Sequence, residues 1–572
     1  MAKRIVGVFI FLLTAIGCFA QKYPVFTHAD SLRGTLSPER SCYDVYFYDL
    51  HLKINPDDKS ISGYNTIYFK AVKDFDRMQV DLFRNMDIDS IIWHNISLKY
   101  WHDSNAVFID FAHKPRFTNT RIGGYREPII PLDKDKYIIG QKDSITIYYH
   151  GKPRVAKRPP WDGGFVWSTD SLGKQWIGVA CELTGASLWW PCKDHISNKP
   201  DSMRMTFDVP TGLQCISNGR LRSQKNLNNG YTSFSWFVSV PIINYDITLN
   251  IADYSHISDY YLSGKDTLTL DYYVLSYNKE KARKQFEQVK PMMACYEKFF
   301  GKYPFYKDGY KLVEADYWGM EHQSCVEYGN HYKNNQFGFD FIIIHETAHE
   351  WWGNSLSCSD PADMWLHEAF ATYAEALYIE CTQDYKTSVK YLHGQEKRIG
   401  NTYPIIGPYN VNFQGTDNDD DMYFKGTWML QTFRHVLNDD ALFFSILQGL
   451  QDKFKYASTN TEEVINYINK KSGKDYAPFF NEYLHQAKPP IFEYKVKFIP
   501  MEGAMLTYRW DSAVKGFAMP IKLFYHGPQD SIVPPMRITP TTEWQTIKLS
   551  GWFSNDVSVD LDEFYVIPKK DE

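Results

Sequence analysis

The stretch "FIIIHETAHEWWGN", residues 341–354, sets two histidines four positions apart with a glutamate directly after the first. On a helix, positions i and i+4 share a face. His345 and His349 can then ligate one metal ion while Glu346 faces a metal-activated water, the arrangement of a helical zinc motif. By chance alone the three fixed letters arise in roughly one chain of this composition in forty. Two ligands leave a zinc site incomplete, so the reading depends on finding a third.

The third is sought downstream, in "SCSDPADMWLHEAFATYAEALYIE". Asp360-Pro361 can interrupt the chain between helices, because proline cannot continue a helix begun before it. Leu366, Phe370, Tyr373 and Leu377 then step at helical spacing and mark a second amphipathic helix. Glu368 lies early in it, with eighteen residues between it and His349. A carboxylate from a second, antiparallel helix completes a His₂Glu site with one open position for water.

Outward from this site the pattern changes twice. From about residue 40 to 270 the sequence reads as strands and turns, with "HLKIN" and "YNTIYFKAV" flanking the turn region "PDDKSISG". Near residue 278 the helical period takes over, first in "NKEKARKQFEQVKPMMACYEKFFG", which Asn278 can cap and Gly301 can end. After "QAKPP" period two returns: Phe492, Tyr494, Val496 and Phe498 alternate, as do Ile521, Leu523 and Tyr525, then Val557, Val559 and Leu561. The expected architecture is a multidomain α+β chain: a β domain over 38–270, a mostly helical domain over 271–488 carrying the metal motif, and a small β-sandwich over 489–572.

Composition agrees with a globular chain. A length of 572 residues exceeds one core and implies roughly two to four domains. The hydrophobic fraction of 44% and charged fraction of 23% are ordinary. A net charge of −6 without long single-sign runs points away from nucleic acid as a partner. Residues 1–20 differ. "MAKR" supplies positive charge, "IVGVFIFLLTAIG" is an apolar run too short to span a bilayer, and "CFAQ" offers a small-residue end. This reads as a secretory signal with two available cuts, after Ala20 to release a soluble chain or before Cys18 to leave a lipid anchor; the first is favoured. Export from a bacterial cell, to the periplasm, envelope or medium, is the expectation, with no transmembrane span. The other eight cysteines are widely and irregularly spaced, so buried free thiols are expected rather than a disulfide framework.

Taken together, "HETAHEWWGN", the eighteen-residue gap and "WLHEAFATYAE" resemble the gluzincin aminopeptidases of the aminopeptidase N family, which also includes leukotriene hydrolase. The resemblance extends to "WGMEH" (318–322), which stands where that family has a G-x-M-E-N motif, to "WWPCKDHISNKP" and to "MYFKGTWML". It implies a saddle-like N-terminal β domain, a thermolysin-like catalytic domain and a β-sandwich, without the helical fourth domain of many relatives. It also implies one Zn²⁺ per chain on His345, His349 and Glu368, Glu346 as general base, and Tyr423 as donor to the oxyanion. Glu321 and Glu182 are implied as partners of the substrate's free amine, with main-chain groups of Gly319 and Met320 along the substrate backbone.

Three departures from the family pattern stand out: Trp318 replaces a glycine, His322 replaces an asparagine, and "LHEAF" stands for "LNEGF". Trp318 and His322 put the family's shape and polarity of the first subsite in question. The expected activity is removal of N-terminal residues from peptides. The alternatives are an endopeptidase or epoxide hydrolase on the same fold, and a peptide-binding homologue without catalysis; against the last, all three ligands, the base and the tyrosine are present. The oligomeric state and the preferred side chain are not encoded in any of these motifs.

Overall fold

A computed structural model of the chain describes residues 25–111, 137–412, 420–500, 503–525, 534–549 and 557–571. The expected signal segment, with Ala20 and Cys18, lies outside them. None of the described helices is long and apolar enough to cross a membrane.

The N-terminal β region is built on an eight-stranded sheet. Its centre is the hairpin read around "PDDKSISG": Tyr43–Asn55 pairs antiparallel with Ser60–Ala71. The alternating burial of these strands puts Tyr48, Leu50, Leu52, Ile54, Ile67 and Phe69 on the core face. One pairing in this sheet is parallel, Tyr43–Asn55 with Ser202–Pro210. A four-stranded sheet packs on it (Gln214–Ser217, Leu249–Ala252, Gln175–Ala180, Gly164–Thr169), and Trp189 and Trp190 are fully buried in the shared core.

A five-stranded mixed sheet leads into the catalytic region. Its order is Tyr254–Ser263, Asp266–Leu275, Tyr310–Glu314, Val326–Tyr328 and, at the edge, Gly319–Met320. The expected boundary at residue 271 falls inside the second of these strands. Their period-two pattern cannot show to which sheet they belong. Helices cover this sheet, and three of them carry the site: the motif helix Phe341–Ala348, the ligand helix Trp365–Thr382 and the tyrosine helix Phe424–Leu437.

Two local expectations are corrected. The Asn278–Gly301 helix is not continuous: it runs as Lys279–Gln285, a 3₁₀ turn Phe286–Gln288, then Val289–Phe300. Pro291 has no N–H to bond the carbonyl four residues back, so the break falls one turn before it. Asn278 does not cap it through its side chain, which donates to Glu314 Oε1 at 2.7 Å instead, whereas Gly301 ends it at φ +91°. The ligand helix, read as amphipathic, is buried on every face from Trp365 to Ile379. It runs through the interior, and its Glu368 and Glu375 face the histidines of the motif helix.

The C-terminal strands form two facing sheets, one of four strands centred on Ile491–Ile499 and Gly503–Asp511 and one of three centred on Ile521–Tyr525. Phe492, Tyr494, Leu523 and Val559 are buried here, but Phe498 and Leu561 remain over 40% exposed. Strand alternation alone could not show that the sandwich core ends before they are reached.

Candidate active site

The site assembles where the motif, ligand and tyrosine helices converge. His345 and His349 lie one turn apart on the motif helix, and their Nε2 atoms are 3.2 Å from each other. Glu368 Oε2, from the ligand helix, is 3.5 Å from His345 Nε2 and 3.6 Å from His349 Nε2. A tetrahedral zinc with ligand bonds of ~2.0–2.1 Å places its ligands about 3.3–3.4 Å apart.

The protons on the two imidazoles are fixed by their outer partners. His345 Nδ1 lies 2.8 Å from Glu375 Oε1, and His349 Nδ1 lies 2.9 Å from the Trp352 carbonyl. Both partners can only accept, so both Nδ1 atoms carry the proton and donate. With Nδ1 donating outward, each ring can turn its Nε2 lone pair to the point that Glu368 Oε2 also faces, and Glu368 Oε2 is buried without a hydrogen-bond partner. Two imidazole nitrogens and one carboxylate oxygen converging on one point are a donor set that fits a zinc ion.

Packing explains why these helices approach so closely. A Cβ on Gly426 would lie 2.6 Å from the Ala369 Cβ, so the glycine of "YFKG" lets the tyrosine helix rest directly beside Glu368. Thr427 Oγ1 donates to the Ala369 carbonyl at 3.2 Å across the same contact. Lys425 of that segment is structural: its ammonium donates to the carbonyls of Gln486 and Ala487, both at 2.7 Å. Trp352 stacks on Phe370 at 4.0 Å between ring centroids, tying the end of the motif to the ligand helix, a contact of ~0.5–1.5 kcal/mol.

Glu346 points to the other side of the motif helix, against the edge strand. A Cβ on Gly319 would meet Glu346 Oε1 and Ile342 Cγ2, each at 2.7 Å. Only glycine admits the carboxylate here. Burial, and then the charges of Glu321 and Glu368, push the Glu346 carboxyl up to about 8, against the lowering effect of His345. Glu321, Glu346 and His349 offer ligand atoms within 4.8 Å of one another, so the amine-binding candidate adjoins the metal group. Glu321 Oε1 accepts from Tyr245 Oη at 3.0 Å, and Asn354 Nδ2 donates to its carbonyl at 2.6 Å.

Glu182 joins this group from the N-terminal region. Its Oε1 is buried with no partner, and burial, then the charges of Glu321, Glu368 and Glu346, hold its carboxyl well above the usual range. Four carboxyl groups thus crowd together, and protonation or a bound cation relieves their mutual repulsion. Tyr423 sits at the N-terminus of its helix, its ring 6.4 Å from that of His345. Burial and the same carboxylates hold its hydroxyl well above the usual range, so it remains an O–H donor at neutral pH. Met320 is buried, and its strand pairs antiparallel with Val326–Tyr328, leaving it at the sheet edge.

The departures from the family pattern stay out of the metal group. His367 Nε2 accepts the Cys358 N–H at 2.8 Å, and His322 Nδ1 lies 3.0 Å from Glu327 Oε2 in a fully buried pair. Trp318 is 49% exposed. The sequence reading missed Glu375 and Tyr391, whose hydroxyl donates to Glu375 Oε2, and it missed Tyr245. Glu375 follows Glu368 by seven positions, two helical turns, so its shared face was the available signal. Nothing local marks the other two.

Comparison with known proteins agrees with this geometry. Residues 285–483, which include the motif, ligand and tyrosine helices, match the peptidase family M1 domain. Mouse endoplasmic reticulum aminopeptidase 1 is 25% identical over 304 residues, half of this chain and 32% of that protein. Aminopeptidase N of Lactobacillus helveticus is 22% identical over 78% of this chain and 51% of its own length. The chain spans 32–42% of the length of the first of these curated relatives. Among solved structures, the M1 zinc metallopeptidase from Deinococcus radiodurans superposes with a TM-score of 0.63 at 19% identity, covering 78% of this chain and 94% of its own. A mutant of that enzyme bound to a Tyr-Ser-Ala substrate gives 0.63 at 20%, covering 80% and 97%. These likenesses show the fold, with its β-rich N-terminal region and helical region around the site. Zinc is the family's metal, and His345, His349 and Glu368 are the residues here that fit it.

Proposed function

We propose that the protein is an exported zinc aminopeptidase that removes N-terminal residues from peptides. The observation that carries this reading is the convergence of His345 Nε2, His349 Nε2 and Glu368 Oε2 at 3.2–3.6 Å, beside Glu346 and the buried Glu321. Zinc, when bound, polarises the attacked carbonyl and acidifies the attacking water.

The chain's own groups supply the rest. The edge strand Gly319–Met320 offers main-chain groups to an extended peptide, which adds to the sheet as a further strand. Glu321 and Glu182 accept hydrogen bonds from the substrate ammonium, whose desolvation is costly unless carboxylates meet it. Glu346 takes the proton of the attacking water and carries it to the leaving amine. The Tyr423 hydroxyl donates to the oxygen of the attacked carbonyl as negative charge develops there. The signal-like residues 1–20 support export, with the bacterial periplasm or envelope as the destination.

The test is Glu346→Gln assayed with metal analysis on a panel of aminoacyl fluorogenic substrates, with and without chelator. The variant keeps one zinc per chain and loses ~10²–10⁴-fold or more in turnover. Turnover near wild type in this variant, or chelator-insensitive cleavage by the wild type, rejects the reading.

A further inference from the structure

Trp161 and Trp318 are among the most exposed large apolar side chains, at 62% and 49%, and they touch each other. Their ring centroids are 5.7 Å apart in an edge-to-face contact, and Trp318 makes a second such contact, at 5.5 Å, with Phe341. The three come from separate parts of the chain. Phe341 opens the motif helix, one turn before His345 and Glu346. Trp318 directly precedes the edge strand, and its carbonyl accepts the Gly329 N–H at 2.7 Å. Trp161 is brought over from the N-terminal region by the loop that precedes the strand Gly164–Thr169. That loop is closed on itself: the Asp162 carboxylate accepts from the backbone N–H groups of Lys157 at 2.6 Å and Arg158 at 2.8 Å.

Two tryptophans in contact ordinarily bury most of their area, since each can hide ~150–250 Å². Here about half of each ring stays open, on a fixed scaffold that adjoins the candidate site. A contiguous exposed aromatic surface of this kind marks a binding position.

Direction along the edge strand identifies what lies there. Glu321, the partner of the substrate amine, follows Met320, whereas Trp318 precedes Gly319, which itself lies against Glu346. A peptide with its amine on Glu321 that reaches past Glu346 towards Trp318 therefore runs antiparallel to the strand. Its first residue lies near Glu321 and Met320, its scissile bond near Gly319 and Glu346, and its leaving portion passes Trp318 at ~3.3 Å per residue. We propose that Trp161, Trp318 and Phe341 form an aromatic subsite for the residues just after the scissile bond, selecting peptides with an aromatic or large apolar side chain at the second or third position. This rests on the aminopeptidase reading and specifies its substrate class.

The experiment compares kcat/KM for Leu-Ala-Ala-Ala, Leu-Phe-Ala-Ala and Leu-Ala-Phe-Ala on the wild type, Trp318→Ala, Trp161→Ala and Trp318→Phe. The wild type cleaves at least one phenylalanine peptide about tenfold better than the alanine peptide, through a lower KM. Either alanine variant removes most of that preference, and Trp318→Phe retains part of it. Equal cleavage of all three peptides by the wild type, or a preference that survives in both alanine variants, overturns the subsite while leaving the aminopeptidase reading intact. Failure to cleave any of the peptides overturns that reading and the subsite with it.

Discussion

Glu375 Oε1 lies 2.8 Å from His345 Nδ1, and the Tyr391 hydroxyl donates to the second oxygen of the same carboxylate. The ligand helix therefore meets His345 twice, through Glu368 on the metal side of the ring and through Glu375 on the other. This fixes the tautomer that presents Nε2 to zinc and raises the basicity of the ring. Glu375→Ala should weaken zinc binding about 10–100-fold while leaving all three ligands in place. Competition against a chromogenic chelator reads this directly, and an unchanged affinity would make the contact incidental.

In the proposed mechanism the Tyr423 hydroxyl meets charge that forms only during reaction, so its loss should appear in kcat rather than in KM. Tyr423→Phe should reduce kcat by an amount equivalent to ~2.7–4 kcal/mol, the usual cost of one oxyanion donor. Steady-state kinetics on a single peptide decides the matter. A change confined to KM would move Tyr423 out of the catalytic set.

The zinc motif and Glu368 were legible in the sequence because each depends on local spacing along one helix or on a short gap between two. Glu375 was legible in principle, sharing a face with Glu368. Tyr391, Tyr245 and Trp161 were not, since each reaches the site from another helix or another region, and no period records such a contact. The ligand helix was misread as amphipathic for a related reason. In Trp365–Thr382 the polar Glu368, Thr372 and Glu375 face a buried site rather than water, so a polar stripe did not mean a solvated one. Phe498 shows the converse, a strand-patterned aromatic that continues past the end of the sandwich core.

The cysteines behave as expected in all but one position. Seven are buried and none is bridged among the described residues, but Cys381, at the exposed end of the ligand helix, differs. The neighbouring Cys295 thiol lowers the Cys381 thiol to about 7, against the raising effect of burial. A lowered value means that thiolate accumulates as pH rises through 7, below the range of a free cysteine near ~8.5. Iodoacetamide should therefore alkylate Cys381 selectively, at half its plateau rate near that pH. Cys295→Ala should move the midpoint upward by removing that neighbour. A midpoint near that of free cysteine in the intact protein would contradict the pairing.

Recognition of a free amine is the claim that separates this account from a general protease on the same fold. Glu321 and Glu182 are buried with Glu346 and Glu368 close by, and on the proposed reading the substrate ammonium is the cation they meet. Acetylation removes that charge, and breaking one side of a buried ion pair costs ~3–5 kcal/mol, or roughly 10²–10³-fold or more in kcat/KM. The direct measurement is kcat/KM for two peptides that differ only in an N-terminal acetyl group, on the wild type and on Glu321→Ala. The account predicts that the wild type strongly prefers the free peptide, and that Glu321→Ala loses far more on the free peptide than on the acetylated one. Equal rates on the wild type would contradict it and make the protein an endopeptidase.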